Sequence, residues 1–500
     1  KNDKLVLARD HIGIKPLHYT IDKKSGSLIF GSEIKSILKY PGIKKEIDHT
    51  GLDMFLSLEY IPAPISIFSG IKKLPAGHIL TYQNNKLSIE KYWEVEKKFF
   101  SDDPDELKEI FLSLLKESVR MRMISDVPLG AFLSGGIDSS AIVAMMAGLS
   151  DRKIKTFSIG FEEKSYSELK YSKIISEKFG TDHYTKSLSP DINDLVGYLT
   201  DFLDEPLGDF SNFPTYLVSK TAREKVTVSL SGDGGDEIFG GYEHYIAQKV
   251  ARGVDLSVLR PFHKLFSKTT NLFPPSELKK GFVNRIKRFS EGLENHPDNR
   301  HFRWMLFLSA AQKKKLYSKE FLNSHFTAKL KDREPFDKYF DYSRTFDGIN
   351  QDLYLDLKTY LVDNILVKVD RMSMATSLEA RVPLLDHKMV EFAFSLPENL
   401  KLKGNTTKYF MKNALRGLLP DEIIDRQKEG FSIPIKNWLK TNLKDLMMEY
   451  LSEKRVKESG LFNYNVIQTM IDEHLNNRQN HAHRLWSLIL FNIWREKFLI

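Results

Sequence analysis

Two stretches of this sequence place glycine, serine and aspartate at spacings suited to holding a polyanion. The first is Ser134-Gly135-Gly136-Ile137-Asp138-Ser139, between the short apolar run at 129–133 and a segment from Ser140 in which apolar residues recur at helical spacing. Adjacent glycines let a backbone approach a ligand with no Cβ in the way. The serine hydroxyls and the free N–H groups of a first helical turn point at the same spot. A helix dipole there favours an anion by about 0.3–1 kcal/mol, but Asp138 repels phosphate unless a cation lies between them. The cation that suits carboxylate and phosphate oxygens is Mg²⁺. The second stretch, Ser231-Gly232-Asp233-Gly234-Gly235-Asp236-Glu237, again follows an apolar run, VTVSL at 226–230. If the two runs are neighbouring strands, Asp138, Asp233 and Asp236 converge where phosphates would lie, which demands divalent cations. Glu237 reads better as the partner of a basic neighbour.

The elements around these loops alternate. From Val127 onward short apolar strands (AFLSGG, IKTFSIGF, DHYTKSL, VTVSLSG) are separated by helical patterns, which predicts a doubly wound parallel sheet with its ligand at the carboxyl ends of the strands. A long amphipathic helix is predicted over 105–123, after the turn Ser101-Asp102-Asp103-Pro104, and further helices over 354–374 and 384–395. Before that turn, LVLARD, PLHYTI and SLIFGS read as strands, and 61–100 as the run out of this β-rich unit into a linker. Residues from about 251 to 351 are basic and helical, with no pattern that suggests chemistry.

With 500 residues and 41% hydrophobic content the chain predicts two or three globular domains. The net charge of +8 comes from lysines spread along the sequence, which reads as a solvated surface and not as a nucleic-acid footprint. No signal peptide and no apolar run long enough to span a bilayer is evident, so a cytoplasmic protein without a membrane partner is expected. The absence of cysteine excludes disulfides, thiolate metal sites and a cysteine nucleophile within these residues.

Neither G-x-x-x-x-G-K-[ST] nor G-x-G-x-x-G is present. SGGIDSS instead resembles the pyrophosphate-binding loop of ATP pyrophosphatases, which cleave ATP between its α and β phosphates and activate a carboxylate or carbonyl as an adenylate. ARDHIGIKPLHY with FGSEIKSIL resembles the later part of the N-terminal-nucleophile glutaminase domain of class II amidotransferases. SGDGGDEIFGGY, DRMSMATSLEARVPLLDHKMVEFAFSLP from Asp370, KYFMKNALRGLLPDEIIDRQKEGFSIPI from Lys408 and HRLWSLILFNIW near the end complete a resemblance, in order, to glutamine-dependent asparagine synthetases.

That resemblance implies an α+β glutaminase remainder over 1–93, a linker over 94–104, and a synthetase domain of the ATP-pyrophosphatase type over 105–500 with a helical insertion at about 251–351. It implies that aspartate and MgATP give β-aspartyl-AMP and pyrophosphate, and that ammonia from glutamine displaces AMP. Ser134, Gly135, Gly136, Asp138 and Ser139 match the family's pyrophosphate loop; Phe132, Ile159, Ser231 and Gly232 its adenosine contacts; and Asp138 and Asp236 its metal ligands. Lys428, in RQKEGF, matches a lysine that stabilises the adenylation transition state, and Asp233 stands where many members carry the glutamate that helps form the intermediate. The segment DEPLGDFSNFPTYL from Asp204 occupies the place that lines the acceptor site, while Glu379 and Arg381 read equally as substrate contacts or as a structural ion pair. No glutaminase nucleophile lies within these residues, so free ammonia is the expected nitrogen source for them. The family also leaves room for a homodimer. An amidotransferase acting on another carboxylate, such as a sugar acid or peptide, and an inactive nucleotide-binding subunit are the alternatives. An enzyme of this loop type acting on tRNA would leave the motifs from Asp370 unexplained.

Overall fold

The computed structural model describes residues 4–161, 168–188, 192–253, 300–325, 336–428, 430 and 433–499. Strands β1 (Lys4–Ala8), β2 (His18–Ile21), β3 (Leu28–Gly31), β4 (Lys72–Lys73), β5 (His78–Gln83) and β6 (Lys86–Lys91) form two antiparallel sheets, ordered β1-β5-β6 and β3-β2-β4. The first three match the sequence reading. The other three lie in the segment read as a run out of the unit. Asn84 and Asn85 both have positive φ (50° and 57°), the turn that matches the twist of a two-residue hairpin and joins β5 to β6.

Helix Pro104–Arg122 has its Asp103 side chain accepting from the Asp105 N–H, proline in its first turn, acids at its start and arginines at its end. The acids and arginines complement the helix dipole, while the Asp103 cap and the proline suit a first turn whose N–H groups have no intrahelical acceptor. Its Leu107, Phe111, Leu115 and Val119, four residues apart, are buried. Beyond it lies a five-stranded sheet of β7 (Leu129–Phe132), β8 (Lys155–Phe161), β9 (Asp182–Leu188), β10 (Val228–Leu230) and β11 (Glu379–Arg381), ordered β11-β10-β7-β8-β9 with every neighbour pair parallel. The strands alternate with helices such as Ile137–Leu149, Leu169–Phe179 and Asn212–Arg223, giving a mixed α/β protein. After β9 the chain returns to the far side of β7, where Val228, Ser229 and Leu230 pair with Leu129, Gly130 and Ala131. The strand order therefore reverses between β7 and β10, the place where parallel sheets open a crevice for a ligand.

Two helical expectations change in detail. The stretch read as one helix over 354–374 is α-helical at Asn350–Asp356, π-helical at Leu357–Ile365 and α-helical again at Leu366–Met374. The wider π turns put Tyr360 in the wall of the crevice and let the Asp363 carboxylate accept the Ala63 N–H at 2.7 Å. The stretch read as a helix over 384–395 is a 3₁₀ turn at Pro383–Leu385 followed by helix His387–Ser395, for which Asp386 is the N-cap. Of the helical insertion expected at about 251–351, residues 254–299 and 326–335 lie outside the described residues. Helices Arg300–Met305, Ala310–Leu316, Lys319–His325 and Asp337–Ser343 fall in the rest.

The N-terminal sheets bury Leu7, Tyr19 and Leu80 in a small core of their own, while helix His49–Leu58 and the segment after it share a larger core with Phe157 and Ile159 of the parallel sheet. Helix Ala482–Leu499 buries Trp486 and Trp494, and the Trp494 ring meets Phe68 edge-on at 5.3 Å. Ion pairs Lys15–Asp370 (2.7 Å), Arg371–Glu33 (3.5 Å) and Lys73–Glu205 cross the same boundary. Among the described residues no helix is long and apolar enough to cross a membrane.

Candidate active site

The register of β7 with β10 sets the two glycine loops side by side at the carboxyl edge of the sheet. The first loop is tied to itself: Gly136 N donates to Ser134 Oγ (3.2 Å), Ser134 N donates to Ser139 Oγ (3.3 Å), and Ser139 Oγ donates to the Gly136 carbonyl (3.2 Å). Gly135 has φ +70°, and a Cβ there would stand 2.5 Å from backbone and side-chain carbons of Tyr171, so both conformation and space require glycine. The N-cap of helix Ile137–Leu149 is Gly136, which has no side chain to take the N–H groups of the first turn. Those groups remain for an anion. Gly232 of the second loop lies so close that a Cβ would stand 2.7 Å from Ser139 N and 3.0 Å from Asp138 Cβ.

Asp138 and Asp236 do converge, and the group that joins them is a lysine to which the sequence reading gave no role. Lys408 Nζ lies 2.6 and 2.5 Å from the two Asp138 oxygens and 2.7 Å from Asp236 Oδ1, with the lysine only 3% exposed. Lys428 pairs with the other oxygen of Asp236 and sits 4.9 Å from the centroid of the Tyr242 ring. Burial pushes the Lys428 amine below its ordinary pKa. Asp233 accepts a hydrogen bond from Ser231 Oγ and faces the same space. Two carboxylates set across one ammonium form a hard-oxygen donor pair. That pair suits Mg²⁺, which takes one or two carboxylates and completes its shell with phosphate oxygens and water.

These groups line a cavity of about 370 Å³, with Phe132, Ser134, Gly136, Asp138, Ser139, Ile159, Ser231, Gly232, Asp233, Asp236 and Lys428 all in its wall. Gly135 lies behind the wall, where Arg426 donates to its carbonyl at 3.0 Å, pairs with Glu168 and stacks over Tyr171 at 4.2 Å. Arg426, inside the DRQKEGF motif, is thus a brace for the first loop that the sequence reading did not single out. The acceptor-lining segment divides. Asp204 and Glu205 hold Arg371 and Lys73 away from the cavity, whereas Asp209, Ser211 and Thr215 line it. Lys368 Nζ donates to Ser211 Oγ at 2.8 Å and lies 3.6 Å from Asp209. Burial acts to raise the Asp209 pKa, but Lys368 and the Ser211 hydrogen bonds outweigh it and hold the carboxyl below its ordinary value.

One side reading is corrected, and of the two offered for Glu379 and Arg381 the structural ion pair is the one present. Glu237 takes the hydroxyl of Tyr242 and not a basic partner, and burial pushes its pKa up to about 7. On edge strand β11, outside the cavity wall, Arg381 forms a 2.8 Å ion pair with Glu379 and donates to the carbonyls of Arg122 and Ile124. Its role is to fasten an edge strand to the helix that ends at Arg122.

With this geometry in view, comparison with known proteins is informative. The asparagine synthase family model matches residues 111–496, and the glutamine amidotransferase domain model matches residues 1–93. Asparagine synthetase [glutamine-hydrolyzing] 1 of Bacillus subtilis is 32% identical over 507 residues, covering 99% of this chain and 76% of that protein. Asparagine synthetase [glutamine-hydrolyzing] 3 of the same organism is 32% identical, covering 91% of this chain and 71% of that protein. A more distant relative, amidase chry2 of Gibberella zeae, is 24% identical over 99% of this chain and 77% of its own length. A family match across most of the chain, together with relatives above 30% identity over nearly all of it, means that the chain belongs to the asparagine synthase family of ATP-dependent, amide-forming ligases.

Proposed function

We propose that this ligase converts aspartate to asparagine through β-aspartyl-AMP, with pyrophosphate as the first product. The observation that carries the reading is the pairing of two glycine loops around Asp138, Asp236, Lys408 and Lys428 in one cavity. Kinase-type loops cradle a β/γ-phosphate with their own lysine. Here the loop that meets the phosphates has none, and the cations arrive from a distant segment.

In the proposed reaction an aspartate side-chain oxygen forms a bond to the α-phosphorus of ATP as the bond from that phosphorus to the bridging oxygen of pyrophosphate breaks. Ammonia then attacks the acyl carbon, and AMP leaves. Negative charge grows on the departing pyrophosphate, so preorganised N–H donors and ammonium groups aimed at it carry most of the catalysis. The first-turn N–H groups after Gly136 and the hydroxyls of Ser134 and Ser139 would receive the pyrophosphate, with Lys408 and Lys428 beside it. Phe132 and Ile159 would flank the adenosine, together with Ser231 and Gly232. Asp138 and Asp236 would hold Mg²⁺, which when bound neutralises phosphate charge. Lys368 and Asp209 offer one cation and one anion at the cavity wall, the complement of an amino acid's α-carboxylate and α-ammonium.

Under this reading residues 1–93 form a glutaminase part, 94–104 a linker, and 105–500 a synthetase domain with a doubly wound sheet of the ATP-pyrophosphatase type. Glutamine or ammonia would supply nitrogen, and the enzyme would act in the cytoplasm in amino-acid biosynthesis. The amidase relative supports a second reading, the same chemistry on another carboxylate acceptor. Product analysis with ATP, ammonium chloride and a panel of carboxylic acids separates these. AMP and pyrophosphate with aspartate preferred would support the proposal, ADP and phosphate would refute the loop chemistry, and preference for another acid would keep the chemistry and change the acceptor.

A further inference from the structure

Behind the second glycine loop, three helices bring two imidazoles and a carboxylate to one point. Helix Glu243–Gly253 carries His244, helix Arg300–Met305 carries His301, and helix Asn350–Asp356 ends on Asp356. One potential ligand atom from each lies within 4.8 Å of the other two. His301 Nε2 is 2.8 Å from Asp356 Oδ1, and His244 Nε2 is 3.4 Å from Asp356 Oδ2. The carboxylate side chain is fully buried and the His301 side chain is 2% exposed. Neither the adenylation chemistry nor the cavity wall uses any of the three.

The surroundings have the features that metal-bound histidines recruit. A ligating imidazole turns its other nitrogen toward a carboxylate, which fixes its tautomer. His301 Nδ1 faces Asp352 Oδ1 at 3.9 Å, and the other oxygen of Asp352 is held by Arg252 at 2.8 Å. Asp356 is itself oriented by the Tyr245 hydroxyl, which donates to it at 2.6 Å. Charge points the same way. Asp352 and Asp356, one helical turn apart and both buried, share one arginine and the two imidazoles among the described residues, so the cluster takes its further positive charge either from a proton on an imidazole or from a bound cation. A divalent ion held by neutral histidines supplies it.

We propose that His244, His301 and Asp356 bind a divalent transition-metal ion of the Zn²⁺ class in an N₂O donor set, which ties helix Arg300–Met305 to helix Asn350–Asp356 behind the second loop. Imidazole donors select this class over Mg²⁺, whose preference is for oxygen. The ion is structural: it joins a segment in which the sequence carries no sign of chemistry to the turn of Tyr242, the residue that holds Glu237.

The test is a titration of the whole 500-residue protein with Co²⁺ and Zn²⁺ in excess Mg²⁺, which keeps the oxygen site at Asp138 and Asp236 occupied. Visible absorption of Co²⁺ reports nitrogen and oxygen coordination without interference, because the chain has no cysteine. The expected result is one equivalent bound by the wild type and by Asp138→Asn, with affinity at least about tenfold weaker in His301→Gln and in His244→Gln. Circular dichroism establishes that each variant is folded. Should His301→Gln fail to fold, His244→Gln, whose side chain is partly exposed, carries the comparison. A folded wild type that binds no stoichiometric ion overturns the proposal in favour of a protonated imidazole between two carboxylates. Equal binding by His244→Gln overturns it in favour of a site elsewhere.

Discussion

Replacing Lys408 by methionine keeps most of the side-chain volume and removes one charge from the centre of the candidate site. The ammonium lies 2.5–2.7 Å from oxygens of both Asp138 and Asp236. At an effective dielectric constant near 20, opposite unit charges about 4 Å apart attract by about 4 kcal/mol. Much of that offsets the desolvation of the three groups, and the measured cost of removing one member of a buried pair is about 3–5 kcal/mol. The lower end applies, since the two aspartate side chains keep 17% and 14% exposure and Lys428 still pairs with Asp236. A loss of about 3 kcal/mol corresponds to a fall of several degrees in Tm for a chain of this size. The same substitution unshields two facing carboxylates, so added MgCl₂ is expected to raise Tm more in the variant than in the wild type. Turnover is expected to stay low even then, by a factor on the order of 10²–10³ in pyrophosphate release, because a preorganised cation beside the developing charge is gone. Thermal unfolding with and without MgCl₂, run beside a pyrophosphate assay, reads all three effects. A variant that keeps both its Tm and its Mg²⁺ response, or turns over within about threefold of the wild type, would refute the reasoning.

Lys428→Ala is expected to lower the adenylation rate by a factor on the order of 10²–10³ while ATP affinity changes much less, and unchanged turnover would return Lys428 to the surface lysines. Gly135→Ala forces an L-residue into a φ of +70° at about 1–2 kcal/mol and drives a methyl into Tyr171, so equilibrium dialysis should show ATP binding at least about tenfold weaker. Glu237, buried beside Tyr242, Asp233 and Lys408, has its pKa raised to about 7 from an ordinary value of 4.5, so the folded protein holds a proton there that the unfolded chain releases. Its contribution to stability is therefore full below about pH 4.5 and lost as pH rises toward 7. Glu237→Gln should flatten Tm against pH across that window, and an identical slope in both proteins would count against the burial argument.

The negative half of the site was legible in the sequence, whereas of the positive half Lys428 was marked by its motif and Lys408 was not, for a physical reason. Asp138 and Asp236 sit inside glycine loops, which under the proposed function let the backbone itself approach the phosphates, and this confines their signal to a few consecutive residues after an apolar strand. The prediction that they converge depended only on β7 and β10 being neighbours, and their register makes them so. A lysine meets no such condition. Its long flexible stem lets it reach the site from anywhere, and Lys408 does so from 270 positions away from Asp138, among 74 lysines and arginines with no local pattern to mark it. Edge strand β11 escaped for a related reason. Glu379-Ala380-Arg381 is too short and too charged to show strand periodicity, and it is a strand only because β10 offers it an edge and Arg381 fastens it to the carbonyls of Arg122 and Ile124, at and just past the end of helix Pro104–Arg122. The π segment was hidden because nine residues of apolar spacing do not separate a wide helix from an ordinary one. Arg426 marks the boundary between the two cases. It lies in a motif that could be read, two residues from a lysine that was singled out, yet its brace on Gly135 exists only once the loop has folded and its carbonyl has turned outward. What a ligand's charge requires of the backbone is written locally, and what it requires of long side chains is settled by tertiary packing.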